Sequence, residues 1–417
     1  MPTYSPKLVL GMTGAFGSGC TTAAKHLRDN KGFQYIALSQ ALKDKWATEN
    51  PGKEPSRADL QKLGDQLREE KGNGILVDLA LKALESDPRG EETKSIVFDG
   101  IRNLGEIARL RDGFGYNFTL FAILANRDAR WNRIGQSAYT DKGRTQQDFV
   151  DDDVRDADEE LGSGQQVKLC LDKADILVNN SEDVLLGTYK EKIISFVELL
   201  LREKPRSATQ CEILMNMAFA ASHSSKCLKR HVGALIVDTG GQVVGVGYNE
   251  NPIGTNPCVE EEEYDYQCYR DIVRNKHFEN LAAKRAKCPD CGEPLEAVKG
   301  PPWRCKSCVE KGAKSNLESY FFPDRAMSWC TAVHAEVWAL LAAGDRARGG
   351  TLYTTTFPCF QCAEKITQGR IKKVVFTEAY PDAFSEDRLN LAKIELEQFE
   401  GVRSSSFERI FSAMRPD

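Results

Sequence analysis

Two short stretches constrain this chain more than anything else in it. One reads Thr331-Ala-Val-His334-Ala-Glu336 and the other Pro358-Cys359-Phe-Gln-Cys362. The pattern H-x-E … P-C-x-x-C has chemical meaning only in a fold that brings both stretches to one point. One imidazole and two thiolates form a three-ligand zinc set, with the fourth tetrahedral position left to water. Such an ion lowers the pKa of bound water from ~15.7 to about 7. Glu336, two residues beyond His334, is placed to carry protons rather than to bind metal. The bland alternative is a cysteine pair and a core histidine that never meet.

Composition narrows the class. A chain of 417 residues, 41% hydrophobic and 28% charged, is expected to form two or three globular domains. No apolar run approaches the ~18 residues of a membrane span; the longest, Phe118–Ala125 and Ile193–Leu201, read as a buried strand and a helix. No signal peptide is visible, so a cytoplasmic location without membrane association is expected. The net charge of −5 argues against general nucleic-acid binding, which shows a basic field. There are 13 cysteines, an odd number, and several fall in C-x-x-C pairs, which in such a chain read as metal ligands rather than disulfides.

In the first half, the apolar run Lys7–Gly11 leads into Gly14-Ala-Phe-Gly17-Ser18-Gly19-Cys20-Thr21-Thr22 and then a helical pattern. Strand, glycine-rich loop and helix form a phosphate-binding arrangement through backbone N–H groups and the helix N-terminus. Gly14 and Gly19 match G-x-x-x-x-G, and Thr21 stands where a Mg²⁺-binding hydroxyl belongs. Cys20 occupies the position of the phosphate-binding lysine and supplies no charge, so a nucleotide-binding loop with weak or no phosphoryl transfer is expected. The alternative is a glycine-rich turn without a ligand. Arg127, Arg130 and Arg133, three residues apart, are expected on one face of a lid-like helix, and Asp151–Glu160 reads as an exposed acidic run. Ser56–Arg68, Asp99-Gly-Ile-Arg102 and Asn179-Asn180 complete a set that, in this order, resembles the P-loop nucleotide kinases over about residues 5–200. Alternating strands and helices imply a parallel sheet covered on both faces.

The charged, Pro-containing stretch Arg202–Thr209 is read as the linker, giving domains 1–204 and 205–417. In the second part, Cys227–Asp238 and Val243–Asn249 read as two strands of a hairpin. The series Arg230-His-Val-Gly-Ala-Leu-Ile-Val, Gly247-Tyr-Asn249-x-x-Pro252-x-Gly254, His334-Ala-Glu336 and Pro358-Cys-x-x-Cys362 resembles the deoxycytidylate deaminase family. That resemblance implies an α/β/α domain built on a mixed sheet of about five strands, with catalytic zinc on His334, Cys359 and Cys362 and Glu336 as the proton carrier. It also implies substrate contacts at Asn249, Thr331, Ala332 and Tyr380, with Asp382 beyond. For Asn249 a turn residue in left-handed geometry is the alternative. A helix is expected through Leu389, Ile394, Leu396 and Phe399.

An insertion at about 255–320 carries Cys288-Pro-Asp-Cys291 and Cys305-Lys-Ser-Cys308, separated by 13 residues. Paired C-x-x-C knuckles form a closed, structural zinc site that holds together a segment too polar to bury its own core. The fold class is thus α/β: a P-loop kinase-like parallel-sheet domain and a cytidine deaminase-like domain with a zinc-knuckle insertion. This pairing resembles the two-domain anti-phage dCTP deaminases. The resemblance implies dCTP and/or dCMP as substrates, antiviral depletion of deoxycytidine nucleotides and an NTP or dNTP regulating through the P-loop domain, with Mg²⁺. It further implies a regulatory RNA or protein partner and a homo-oligomer. A bifunctional dNMP kinase/dCMP deaminase, an RNA- or single-stranded-DNA-binding deaminase and a non-enzymatic scaffold are the alternatives.

Overall fold

The computed structural model describes residues 6–85, 95–157, 165–181, 186–284, 286–294, 297–298, 304–311, 330–378 and 383–411. The chain forms two compact units: Met1–Asn216 with Phe376–Asp382 and Glu397–Asp417, and Met217–Val375 with Ala383–Leu396. The Pro-containing linker at 204/205 lies shortly before the break between Asn216 and Met217, and Glu397–Asp417 returns to the first unit. Among the described residues, no helix is long and apolar enough to cross a membrane.

The first unit is built on a six-stranded sheet. Its strands are β1 (Val9–Thr13), β2 (Gln34–Ala37), β3 (Ile96–Ile101), β4 (Phe118–Leu124), β5 (Ile176–Asn179) and the tail strand β13 (Gly401–Val402), in the order β13-β5-β4-β1-β3-β2. The pairs β1/β3, β1/β4, β2/β3 and β4/β5 are parallel. Every residue of β1 and β4 is buried, as a parallel strand covered on both faces requires. The core packs Leu10, Met12, Phe121 and Ile176 against Leu27 of the first helix, Cys20–Lys31, and against Ile193 and Val197 of Leu186–Leu200.

Three expectations fail here. The acidic run is not a solvated face where it is described: Asp152 and Asp153 are buried in the helix Gln146–Ala157. Asp152 accepts from Tyr139 OH and Arg144 Nη1, and Arg130 compensates Asp153, donating to both its carboxylate oxygens at 2.6 and 2.7 Å while itself only 2% exposed. That pairing also splits the arginine triplet on the helix Arg127–Ala138: Arg130 turns inward while Arg133 stays exposed. The single helix expected through Leu389–Phe399 is instead a helix, Ala383–Leu391, followed by the strand β12 (Glu395–Gln398). The last segment, Ser404–Phe411, is helical, and its Phe407, Ile410 and Phe411 pack on the first unit's core.

The second unit carries a five-stranded sheet of β6 (Gly233–Val237), β7 (Val243–Tyr248), β10 (Thr351–Thr354), β11 (Lys373–Phe376) and β12, in the order β12-β11-β10-β6-β7. The hairpin β6/β7 is antiparallel as expected, although β6 begins only at Gly233 and not at Cys227. The helix Ala335–Ala343 lies against β6 and β7. Gly245 and Gly247 make that approach feasible. A Cβ at Gly247 would stand 2.5 Å from the Ala339 backbone nitrogen, and one at Gly245 would stand 2.9 Å from that of Ala343. Within the insertion, β8 (Ala297–Val298) pairs antiparallel with β9 (Arg304–Cys305), and the short helix Lys306–Glu310 follows.

Candidate metal centres and the phosphate-loop cavity

His334 and Cys359 occupy equivalent positions: each is the N-cap residue of its helix, Ala335–Ala343 and Phe360–Gln368. The two helices pack against each other. Their start points, and hence their unpaired N–H groups, converge on one spot. There the His334 Nδ1 lies 3.4 Å from Cys359 Sγ and 3.2 Å from Cys362 Sγ. All three donor atoms fall within 4.8 Å of one another. Two ligands held tetrahedrally at Zn–S ~2.3 Å and Zn–N ~2.0–2.1 Å stand about 3.6 Å apart, so the cluster fits zinc.

The electrostatics favour one thiolate, at Cys359, while the Cys362 thiol is pushed up by its hydrogen bond with Cys359 and by burial. Cys362 as hydrogen-bond partner and His334 hold the Cys359 thiol down at about 4 against the opposing effect of burial. The His334 ring is pushed up, first by its hydrogen bond with Cys359. Glu336 lies in the first helical turn, only 3% exposed, and burial pushes its carboxyl above the ordinary carboxylate range. Its side chain faces Cys362 and His334 and is not among the three clustered donors.

The expected substrate contacts are placed unevenly. Asn249 is buried, but its side chain is engaged with backbone: Nδ2 donates to Arg230 O at 2.8 Å and Oδ1 accepts from Val232 N–H at 2.7 Å. It therefore fixes the entry to β6, with no left-handed geometry, and keeps one amide hydrogen and one lone pair for a ligand. Thr331 is exposed and its hydroxyl accepts from Asn251 Nδ2 at 3.2 Å; Ala332 is half-buried beside it. Tyr380 and Asp382 lie outside the described residues.

The insertion brings Cys288, Cys291, Cys305 and Cys308 together, again with all donor atoms within 4.8 Å. Cys288–Cys308 and Cys291–Cys305 are 3.8 and 3.7 Å apart between sulfurs. A tetrahedron with ~2.3 Å Zn–S arms has edges of about 3.8 Å, so four thiolates and no open position describe this site.

In the first unit, the loop after β1 turns through Gly17 and Gly19, both left-handed at φ +85° and +113°. It opens onto a cavity of about 750 Å³ lined by Gly14, Ser18, Thr22, Asp99, Arg102 and Arg133 among others. Thr21 Oγ1 and Tyr35 OH both donate to Asp99 Oδ2, at 2.7 and 2.9 Å. Burial, and then Asp99, push the Cys20 thiol up to about 12, so the residue at the lysine position is a neutral thiol. Sequence reading missed the glycines of β7 as positioning residues, although a glycine inside a strand signals close backbone approach. It also missed Tyr35, whose partner Asp99 is 64 residues away.

Residues 208–378 match the family model of the cytidine and deoxycytidylate deaminase zinc-binding region. The matched stretch spans both halves of the His–Cys–Cys cluster. Among individual relatives, the chain is 28% identical over 237 residues to the deoxycytidylate deaminase of Schizosaccharomyces pombe, covering 56% of this chain and 56% of the relative. It is 28% identical over 171 residues to that of Enterobacteria phage T4, covering 40% of this chain and 77% of the relative. The chain thus spans about half the length of the yeast relative. Of solved structures, the dCMP deaminase of cyanophage S-TIM5 in complex with dCMP and dUMP aligns over 45% of this chain and 95% of its own, at 23% identity and a TM-score of 0.27.

Proposed function

We propose that this protein hydrolytically deaminates deoxycytidine nucleotides, dCTP and/or dCMP, to deoxyuridine nucleotides. The observation carrying this reading is the convergence of His334, Cys359 and Cys362 beside the buried Glu336. A zinc ion held by these three residues would supply an activated water for attack at the amino-bearing ring carbon. Both helix N-termini face the cluster and favour its thiolates. As a carboxylate, Glu336 would take one proton from the attacking water and pass it to the ring nitrogen. It would then take the proton of the newly formed hydroxyl and give it to the leaving amino group, so that the carbonyl forms as ammonia departs. The substrate class is supported by the relatives, which are named deoxycytidylate deaminases.

The first unit is proposed to bind an NTP or dNTP in a regulatory role. Backbone N–H groups of the loop would meet phosphate, and the Thr21 hydroxyl and Asp99 carboxylate offer hard oxygen ligands for Mg²⁺. The neutral thiol at Cys20 speaks against phosphoryl transfer. A role in antiviral defence rests on the order of the two units.

The test is a substrate panel of dCMP, dCTP, CTP, deoxycytidine and a cytosine-containing oligonucleotide, with uracil products quantified. Uracil is expected from the free deoxynucleotides and not from the oligonucleotide. Glu336→Ala is expected to keep its zinc and to lose turnover by about 10²–10⁴-fold or more; a zinc-loaded, active Glu336→Ala protein overturns the assigned role.

A further inference from the structure

Asn249 stands where the two halves of the His334 cluster are tied together, and every residue of the arrangement belongs to the second unit. Toward β6, its side chain acts as a strand neighbour for residues that precede the strand. Oδ1 accepts from Val232 N–H at 2.7 Å, Nδ2 donates to Arg230 O at 2.8 Å, and the Asn249 N–H donates to Val232 O at 3.1 Å. The next residue, Gly233, exchanges two hydrogen bonds with Thr355: it accepts from Thr355 N–H at 3.0 Å and donates to Thr355 Oγ1 at 3.1 Å. Thr355 leads through Thr356, Phe357 and Pro358 directly to the ligand Cys359. Toward the other ligand, Glu250 follows Asn249 and forms an antiparallel bridge with Val333, the residue before His334. Glu250 N–H donates to Val333 O at 3.1 Å, and Val333 N–H donates to Glu250 O at 2.8 Å. Ser225, only 5% exposed, fixes the same point, its hydroxyl donating to the Asn249 carbonyl at 2.9 Å.

We propose that Asn249 is a positioning residue for the metal centre, holding the segments of His334 and of Cys359–Cys362 in register, beyond the substrate contact that the resemblance implies. The inference rests on the reading of this cluster as the zinc site of a deaminase. The Asn249 residue is buried, and both hydrogen bonds of its amide end on backbone. Removing the amide takes a partner from the Val232 N–H and from the Arg230 carbonyl, and polar groups held away from water regain partners only if the chain shifts. A shift of Val232 carries Gly233 and, through two hydrogen bonds, Thr355 at the approach to Cys359. A shift of the Asn249 backbone carries Glu250, and with it Val333 beside His334. Functional constellations tolerate about 0.5 Å of displacement. Losing the residues that orient metal ligands costs about 10–100-fold in metal affinity or activity.

The experiment uses the full chain, loaded with zinc and, separately, with cobalt(II), whose visible bands report ligand geometry. Metal retention against a chelator is measured together with kcat and KM for dCMP, dCTP and their dideoxy analogues, which lack the sugar 3′-hydroxyl. Asn249→Ala is expected to weaken retention at the His334 cluster by about tenfold or more and to shift the cobalt bands of that centre, while the four-thiolate equivalent stays bound. Its kcat is expected to fall by about tenfold or more, and by the same factor with and without the sugar hydroxyl. Unaltered retention and cobalt bands overturn the proposal; a penalty confined to KM that vanishes with the dideoxy analogues then assigns Asn249 to the substrate alone. A lowered unfolding temperature with unaltered retention, bands and kcat also overturns it, because that is support of the fold only. Ser225→Ala leaves the Asn249 amide in place and decides the case if Asn249→Ala does not fold. It is expected to weaken retention by about threefold or more with the same shift of the bands, and retention and bands like those of the unmodified protein overturn the proposal. An unmodified protein that deaminates none of these substrates overturns the deaminase reading, and the metal readouts still decide the positioning role.

Discussion

Gly247→Ala is the most informative single substitution, because it adds one methyl group and touches no reacting atom. The new Cβ would sit 2.5 Å from the Ala339 nitrogen and 2.7 Å from Trp338 Cβ, whereas ordinary contact begins near 3.4 Å. The Ala335 carbonyl oxygen would stand nearer still, so the helix Ala335–Ala343 must retreat from β7 by about 1.1 Å, since these obstacles are backbone atoms rather than the end of a flexible chain. Overpacking of this kind costs about 1–3 kcal/mol of stability. The helix is capped by His334 and carries Glu336, so the retreat displaces the proposed metal ligand and the proposed proton carrier together. A misplacement of ~1 Å is enough for a loss of about 10²-fold in rate, or roughly 2.7 kcal/mol in the barrier. The assay combines kcat for deoxycytidine nucleotide deamination, zinc content by elemental analysis and thermal unfolding. Val246→Ala is the control: Val246 is 48% exposed on the opposite side of the same strand, and its truncation should cost no more than about 0.5 kcal/mol. Gly247→Ala protein with unchanged kcat, zinc content and unfolding temperature would refute the claim that this close approach positions the site.

Other outcomes follow from the same structure. Cys305→Ser should lower the zinc content by one equivalent and loosen the insertion to proteolysis, while the zinc at the His334 cluster remains; unaltered stoichiometry removes the four-thiolate assignment. Gly19→Val should abolish nucleotide binding to the first unit, because the residue stands at φ +113° against Asn180; retained affinity shows that the loop is not the binding element. Glu212 is 1% exposed in its side chain and accepts from both Arg206 Nη atoms and from the Val402 N–H. Burial pushes its carboxyl up, but these donors, with Thr209 N–H, outweigh it and leave the folded-state value below the ordinary 4.5. Its stabilisation is therefore complete above 4.5 and is lost as pH falls through the lower folded-state value. Glu212→Gln should cost about 1–3 kcal/mol near neutral pH, because it removes the charge and one acceptor oxygen facing the partly exposed Arg206. The gap to the unmodified protein should narrow in acid, and a gap in unfolding temperature that stays constant from neutrality into acid contradicts this account.

The sequence spelled out the donor sets. His334, Cys359 and Cys362 with Glu336, and the four insertion cysteines, could be named as clusters because each ligand type has few other uses at that spacing. The parallel sheet of the first unit was equally legible, since strands buried on both faces read as unbroken apolar runs. Charge was the weakest guide. Asp152 and Asp153 look like surface in a sequence, and their burial is made tolerable by Arg130, more than twenty residues away, for Asp153 and by Tyr139 and Arg144 for Asp152.

Tertiary structure alone decided how those donor sets are presented. That His334 and Cys359 both cap helices, and that the helices start at one point, depends on Gly245 and Gly247 letting a helix backbone touch a strand. The destination of the tail was also a tertiary matter. Gly401 and Val402 are two residues with no pattern of their own, and their place on β5 is set by Glu212, Glu400 and the free edge they complete. Local sequence specifies which atoms can bind or react; long-range packing specifies which of them meet, because close backbone approach and buried charge pairing are settled by residues far apart in the chain.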